Sequence, residues 1–316
     1  MTILKQIAFF ILLSMTFYLG ILFILNKIKV GKYSIVYSVL DGSTIKAQET
    51  YKRFNEFDEA GNYDLVVMGS SHAYRGYDIR NFEKIGFKAY NLGSNAQEIE
   101  VTNILANELV QNTNAKHVIL EIFPILFIKY KSIESASYVV SNCKTNHLAF
   151  SICKYYNDPR LWNQYLLRLI NTNTAATEIP PDSLCYKGYC INRDTIKQIE
   201  KVLRIIEKPN PHLKLGIDEK KLNALSLILE TLHRKGIKTI VCTHYCPIET
   251  DSTLHHLVTP MFKEICKKNN VTYLDYSYKH SLNTATYFYD HHHLNANGVK
   301  VYNDSLINDL KRLHFF

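Results

Sequence analysis

The chain lacks any dense block of lysine or arginine. Its formal net charge is +8, but the basic residues are scattered, and scattered charge does not track a nucleic-acid backbone. Such a surface suits anionic polymers or lipid head groups equally well. There is no internal repeat, and so no sign of a solenoid. Gly-x-Ser-x-Gly is absent, which disfavours a nucleophile elbow of the α/β-hydrolase type. Cys242 and Cys246 flank Thr-His-Tyr without zinc-ribbon spacing and with no second pair, so they read as core cysteines rather than ligands. Between Ile7 and Leu25 there is no charge at all.

That uncharged run is long enough to cross a hydrocarbon core, which takes roughly 17–25 helical residues. It ends in Asn26-Lys27-Ile28-Lys29 without a small-residue cleavage pattern, so it reads as a retained anchor over residues 1–30 rather than a signal peptide. Met1 and Lys5 flank one side, and Lys27, Lys29 and Lys32 the other. By the positive-inside rule these charges lean toward a cytoplasmic body. The remainder, 31–316, has ordinary globular composition, the whole chain being 47% hydrophobic and 21% charged. It fits one domain with a large insertion. Seven cysteines leave at least one thiol free. Cys185 and Cys190 bracket a turn-like Tyr-Lys-Gly-Tyr and could close a small disulfide loop in an oxidising space.

Five short runs predict strands: Leu65–Met68, Phe87–Asn91, His117–Ile122, Ile237–Cys242 and Val271–Asp275. Most are continuously apolar, as in parallel strands covered on both faces. Helical faces lie between and after them: Val101, Ile104, Leu105 and Leu109; Leu222, Leu225, Leu229 and Leu232, starting near Asp218 and stopping at Gly236; Val258, Met261, Phe262 and Ile265; and Val299, Tyr302, Leu306, Leu310 and Leu313. The alternation predicts a three-layer α/β/α sandwich on a parallel five-stranded sheet. Residues from about 129 to 215 break the pattern. They read as an insertion with helical pieces such as Leu161–Ile170, placed as a cap over the strand ends.

Two segments carry the chemistry. Asp64-Leu-Val-Val-Met-Gly-Ser-Ser-His72 delivers Gly69, Ser70 and Ser71 to the carboxyl edge of the sheet, where open parallel sheets bind ligands. Ser71 then falls at the start of a helix, where backbone N–H groups favour negative charge. Alone, this segment also reads as a capped turn or a phosphate loop, and His72 could line the site but reads rather as a helix-start residue. Tyr289-Asp-His-His-His-Leu-Asn295 places Asp290 and His293 in one loop, the spacing for an imidazole base held by a carboxylate. Three consecutive histidines also suggest a metal. Adjacent side chains diverge, however, so His291, His292 and His293 do not reach one ion without further ligands. Asn295 reads as the cap of the last helix.

The order of these blocks resembles the SGNH (GDSL-type) hydrolase superfamily. Gly69-Ser70-Ser71 matches the first block, Asn91-Leu-Gly-Ser-Asn-Ala-Gln97 the second and Asp290-x-x-His293 the last. The third block, Gly-x-Asn-Asp after the third strand, is missing: that strand runs into Leu120-Glu121-Ile122-Phe123-Pro124. With the anchor, this looks most like the membrane-tethered branch of D-alanyl-lipoteichoic-acid and alginate O-acetylation proteins. The resemblance implies a flavodoxin-like fold, an extracytoplasmic body, a Ser71–His293–Asp290 triad and an oxyanion glycine at Gly93, with Asn95 or Gln97 replacing the missing asparagine. It implies an esterase or O-acyltransferase acting on an acylated envelope polymer or a small ester, needing no cofactor or metal, with a membrane-bound acyltransferase as a candidate partner. Two rivals remain: an inactive scaffold that binds a polymer or such a partner, and a metal-dependent phosphoesterase built on the histidines.

Overall fold

The computed structural model describes residues 3–30, 33–37, 44–57, 61–130, 132–170, 180–208 and 213–316. Of the predicted features, Met1, Lys32 and parts of the insertion (131, 171–179 and 209–212) lie outside the described residues. Five parallel strands form one sheet: β1 (Leu65–Met68), β2 (Ala89–Asn91), β3 (His117–Glu121), β4 (Lys238–Thr243) and β5 (Thr272–Asp275). Their spatial order is β2-β1-β3-β4-β5. Val67 pairs with Asn91 on one side and Ile119 on the other. This doubly wound order reverses direction between β1 and β3, the switch point beyond whose carboxyl strand ends open α/β sheets bind their ligands.

Pleating divides each strand between two cores. Leu65, Val67, Ile119 and Ile240 face a layer that holds Ala73, Ile79, Phe82, Tyr302 and Leu306. Val66, Met68, Val118, Leu120 and Val241 face a layer that holds Leu105, Leu225, Leu229, Val258 and Phe262. The α/β/α sandwich is therefore the one predicted. Helix Glu219–Arg234 begins where Asp218 accepts a hydrogen bond from the Lys220 N–H, a cap that contributes about 1 kcal/mol. The chain turns out of it at Gly236, where φ is +69°. Strand β2 starts two residues later than predicted, because the Phe87 N–H returns to the Phe82 carbonyl and closes the turn instead.

The N-terminal helix, Ile3–Lys27, is long and apolar enough to cross a membrane by length and composition. Most of its side chains are bare. Its exit end docks through Leu22 onto Tyr37, Tyr138 and Leu167. The insertion contributes three mutually packed helices, Glu134–Asn142, Asn146–Tyr156 and Pro159–Leu169. Buried Gln164 ties the third of these to the first, accepting from the Ser137 and Ser141 hydroxyls, and donates to the Val36 carbonyl. The part of the insertion that meets the serine helix is a hairpin, Cys185–Tyr186 with Tyr189–Cys190, closed by a Cys185–Cys190 disulfide. The Arg75 guanidinium donates to the Cys190 carbonyl and Arg53 to that of Gly188, which fixes the hairpin in place.

Candidate active site

Strand β1 delivers the turn that carries the nucleophile candidate. At Gly69, φ is +144°, and a Cβ there would lie 2.6 Å from both the carbonyl oxygen and a carboxylate oxygen of Glu121. No side chain fits. Glu121 ends the adjacent strand, and its Oε2 accepts from the Ser70 N–H at 3.0 Å and the Ser70 hydroxyl at 2.9 Å. Ser70 in turn caps the helix Ser71–Gly76, its Oγ accepting from the His72 N–H. Ser71 is thus the first residue of a helix, and its N–H has no acceptor within that helix by position.

The second half arrives on the loop before the last helix. Asp290 Oδ1 accepts from the N–H groups of His292 and His293 at 2.9 and 2.8 Å, folding the loop on itself. A bridge between Phe288 and Leu294 closes its neck. Asn295 caps the helix Ala296–Arg312 and donates its side-chain amide to the Thr286 carbonyl. With the backbone so held, His293 Nδ1 donates to Asp290 Oδ2 at 2.8 Å, and His293 Nε2 lies 2.8 Å from Ser71 Oγ. Ser71, His293 and Asp290 form one continuous hydrogen-bonded chain. Tyr289 stacks on the His293 ring, the planes 2° apart.

Burial sets the charge states. It pushes the His293 imidazole down, while Asp290 pulls it back, and the net position lies below the ordinary histidine value. Burial also works to raise the Asp290 carboxyl. The hydrogen bond and charge of His293, the charge of His292 and the amide bonds outweigh it, and the group sits well below the usual carboxylate range. The pair is therefore a neutral base beside an ionised carboxylate at neutral pH. Fully buried Glu121 is pushed up to about 7 by desolvation, against its bonds to Ser70.

The oxyanion donors inferred from the resemblance are in different condition from one another. Gly93 does approach the serine turn: a Cβ there would lie 2.9 Å from the Ser70 carbonyl. Its N–H, however, donates to Asn91 Oδ1 at 3.0 Å. Gln97 is engaged on both sides of its amide, accepting from the Ser94 hydroxyl and donating to Thr102. Asn95 donates to Glu134 at 2.7 Å and keeps a second amide hydrogen beyond that bond.

Solved structures with a similar outline include a GDSL-like lipase from Bacteroides thetaiotaomicron: 11% identity, 84% of this chain and 99% of that one covered, TM-score 0.42. Another is an acetyl xylan esterase: 12% identity, 78% of this chain and 99% of that one, TM-score 0.42. No protein-family model and no curated protein matches the sequence. The functional reading therefore rests on the site's own geometry.

Sequence reasoning missed a ring of groups around this chain. Glu121 appeared only as the strand end where an asparagine was missing. His72, read as a helix-start residue that could also line the site, does sit in the first turn, and its ring is buried against His244, His292 and His293. Phe123 stacks on His292 with its plane 12° away. The three consecutive histidines flagged His292 and His293. Nothing in the local pattern pointed to His244 as a neighbour of His72.

Proposed function

We propose that this protein is a serine-dependent acyl-ester hydrolase or O-acyltransferase. The observation that carries the reading is the unbroken chain from Ser71 Oγ through His293 to Asp290, with both contacts at 2.8 Å. Ser71 Oγ attacks an acyl carbonyl as its proton passes to His293 Nε2. Asp290 holds the tautomer and stabilises the imidazolium. The carbonyl oxygen becomes an oxyanion at the helix start, where the Ser71 N–H is the backbone donor and Asn95 the side-chain donor. The leaving alcohol takes the proton from His293, leaving an acyl-serine. Water or a sugar hydroxyl then attacks that ester, again through His293. Hydrolysis and transfer differ only in the second nucleophile.

The polymer and the membrane enter by a different route. The Ile3–Lys27 helix would tether the body to a membrane, and the Cys185–Cys190 disulfide favours an extracytoplasmic side, since such bonds persist in oxidising compartments. A basic body there suits an acylated anionic envelope polymer as substrate, with the insertion as the surface that selects it. A fluorophosphonate probe tests the chemistry on intact and on permeabilised cells. Wild type should label without permeabilisation, Ser71→Ala should not label, and His293→Ala should label about 100-fold to 10,000-fold more slowly. A second reading, a binding scaffold without catalysis, is favoured by the Gly93 N–H being committed to Asn91. Wild-type protein that stays unlabelled where a control serine esterase reacts would establish it.

A further inference from the structure

The histidines around the relay are arranged as ligands. One ring nitrogen from each of His72, His292 and His293 lies within 4.8 Å of the others. His72 Nε2 and His292 Nδ1 are 2.9 Å apart. His72 Nε2 also lies 3.2 Å from the His292 carbonyl oxygen, which only accepts, so that nitrogen carries a proton that an incoming ion would displace. His293 Nδ1 donates to Asp290, and its Nε2 accepts from the Ser71 hydroxyl at 2.8 Å. A carboxyl group lies behind two of the three imidazoles, directly for His293 and through Ser70 for His72, as in the outer shell that orients metal-binding histidines. Beside them, fully buried His244 has no hydrogen-bond partner on either ring nitrogen, and its ring centre lies 4.3 Å from that of His72. Buried imidazoles are rarely left unpaired.

We infer that His72, His292 and His293 form a binding site for a borderline divalent ion such as Zn2+, and that an ion bound there takes His293 away from Ser71 and switches the relay off. Nitrogens sharing one zinc sit roughly 3.3 Å apart, given Zn–N bonds of about 2.0–2.1 Å. The cluster needs only small ring movements to close on such an ion. Three imidazoles leave the fourth tetrahedral position for water. Imidazole ligands favour zinc and its transition-metal neighbours over Mg2+ and Ca2+, which take oxygen. Capture of either His293 nitrogen breaks the relay, because one holds Ser71 and the other Asp290. His72 supplies the further ligand that the consecutive histidines lack by themselves. The inhibition rests on the serine-relay reading, whereas binding does not.

The test uses untagged full-length protein in detergent, stripped with a chelator and then titrated with ZnCl2 against a chromophoric zinc indicator. Fluorophosphonate labelling is followed in the same samples. Wild type should take up one equivalent of Zn2+ and label at least tenfold more slowly when loaded. EDTA should restore the rate, and MgCl2 should leave it unchanged. His292→Gln and His72→Gln should each weaken uptake by about tenfold or more. Each variant is read as the ratio of its own labelling rates with and without zinc, so a change in basal rate does not enter. No stoichiometric uptake, uptake in both variants equal to that of wild type, or an unchanged labelling rate at full loading would overturn the inference. Zinc uptake by protein that never labels would instead count against the serine relay and leave the metal site standing.

Discussion

Ser71 is held by neighbours that do no chemistry of their own in the proposed reaction. Glu121 takes both donors of Ser70, and Gly69 leaves room for it. That carboxyl is raised to about 7 from an ordinary value near 4.5. Its folded form holds its proton more tightly than its unfolded form does. The resulting stability is present below pH 4.5 and is lost as pH rises through about 7. Relative to Glu121→Gln, wild type should lose about 3 kcal/mol of unfolding free energy between those limits. Denaturant titrations of both proteins across that range measure the difference, and parallel curves would refute it. His293 carries the opposite shift. Its imidazole is neutral to below the ordinary histidine value, so Ser71 labelling should hold its rate down through pH 6.5 and decline only in more acidic buffer. A midpoint at or above 6.5 would contradict the burial argument.

Among the elements, the turn after β1 and the turn after β2 act as one piece, and Asn91 joins them. Its amide donates to the Ala73 and Tyr77 carbonyls and its oxygen accepts from the Gly93 N–H. Asn91→Ala would strand buried polar groups, at a cost of about 1–3 kcal/mol. It would also release the Gly93 N–H. Thermal unfolding should register the loss, while labelling per folded molecule stays equal or rises if that amide is an oxyanion donor. A fall in labelling per folded molecule would instead give Asn91 a direct part in holding Ser71. The strands and the Asp290–His293 loop were legible in the sequence because their signals are local. Apolar runs mark covered strands, and Asp290 is held by amides within three residues of itself. The place of Glu121 was not legible, and that of His72 only in part. Their contacts depend on β3 lying next to β1 and on the last loop crossing the serine helix, which no short pattern encodes. The oxyanion assignment failed to anticipate Asn91 for the same reason: the direction of an amide is decided by the side chain that folds onto it.

At the scale of the molecule, the described cysteines report on compartment. Cys143, Cys153, Cys242, Cys246 and Cys266 are free and buried, and Cys185 and Cys190 are joined. If the body lies outside the cytoplasm, denatured, thiol-trapped cell extracts should accept five maleimide–polyethylene glycol adducts before reduction and all seven afterwards. Seven before reduction would place the body on the reducing side, where the charges flanking the N-terminal helix point. The α/β/α architecture was legible from alternation alone. How the insertion divides, into three helices packed on the second core, a hairpin against the serine helix and a further helix, Ile199–Ile206, was not, because the packing partners are distant in sequence.

The two halves of the relay are 222 positions apart in the chain. Synthesis therefore makes the proposed nucleophile long before its proposed base. On the proposed serine chemistry, the hydroxyl at position 71 stays an ordinary alcohol until the loop that carries His293 docks, and a chain cut short of that loop is chemically silent.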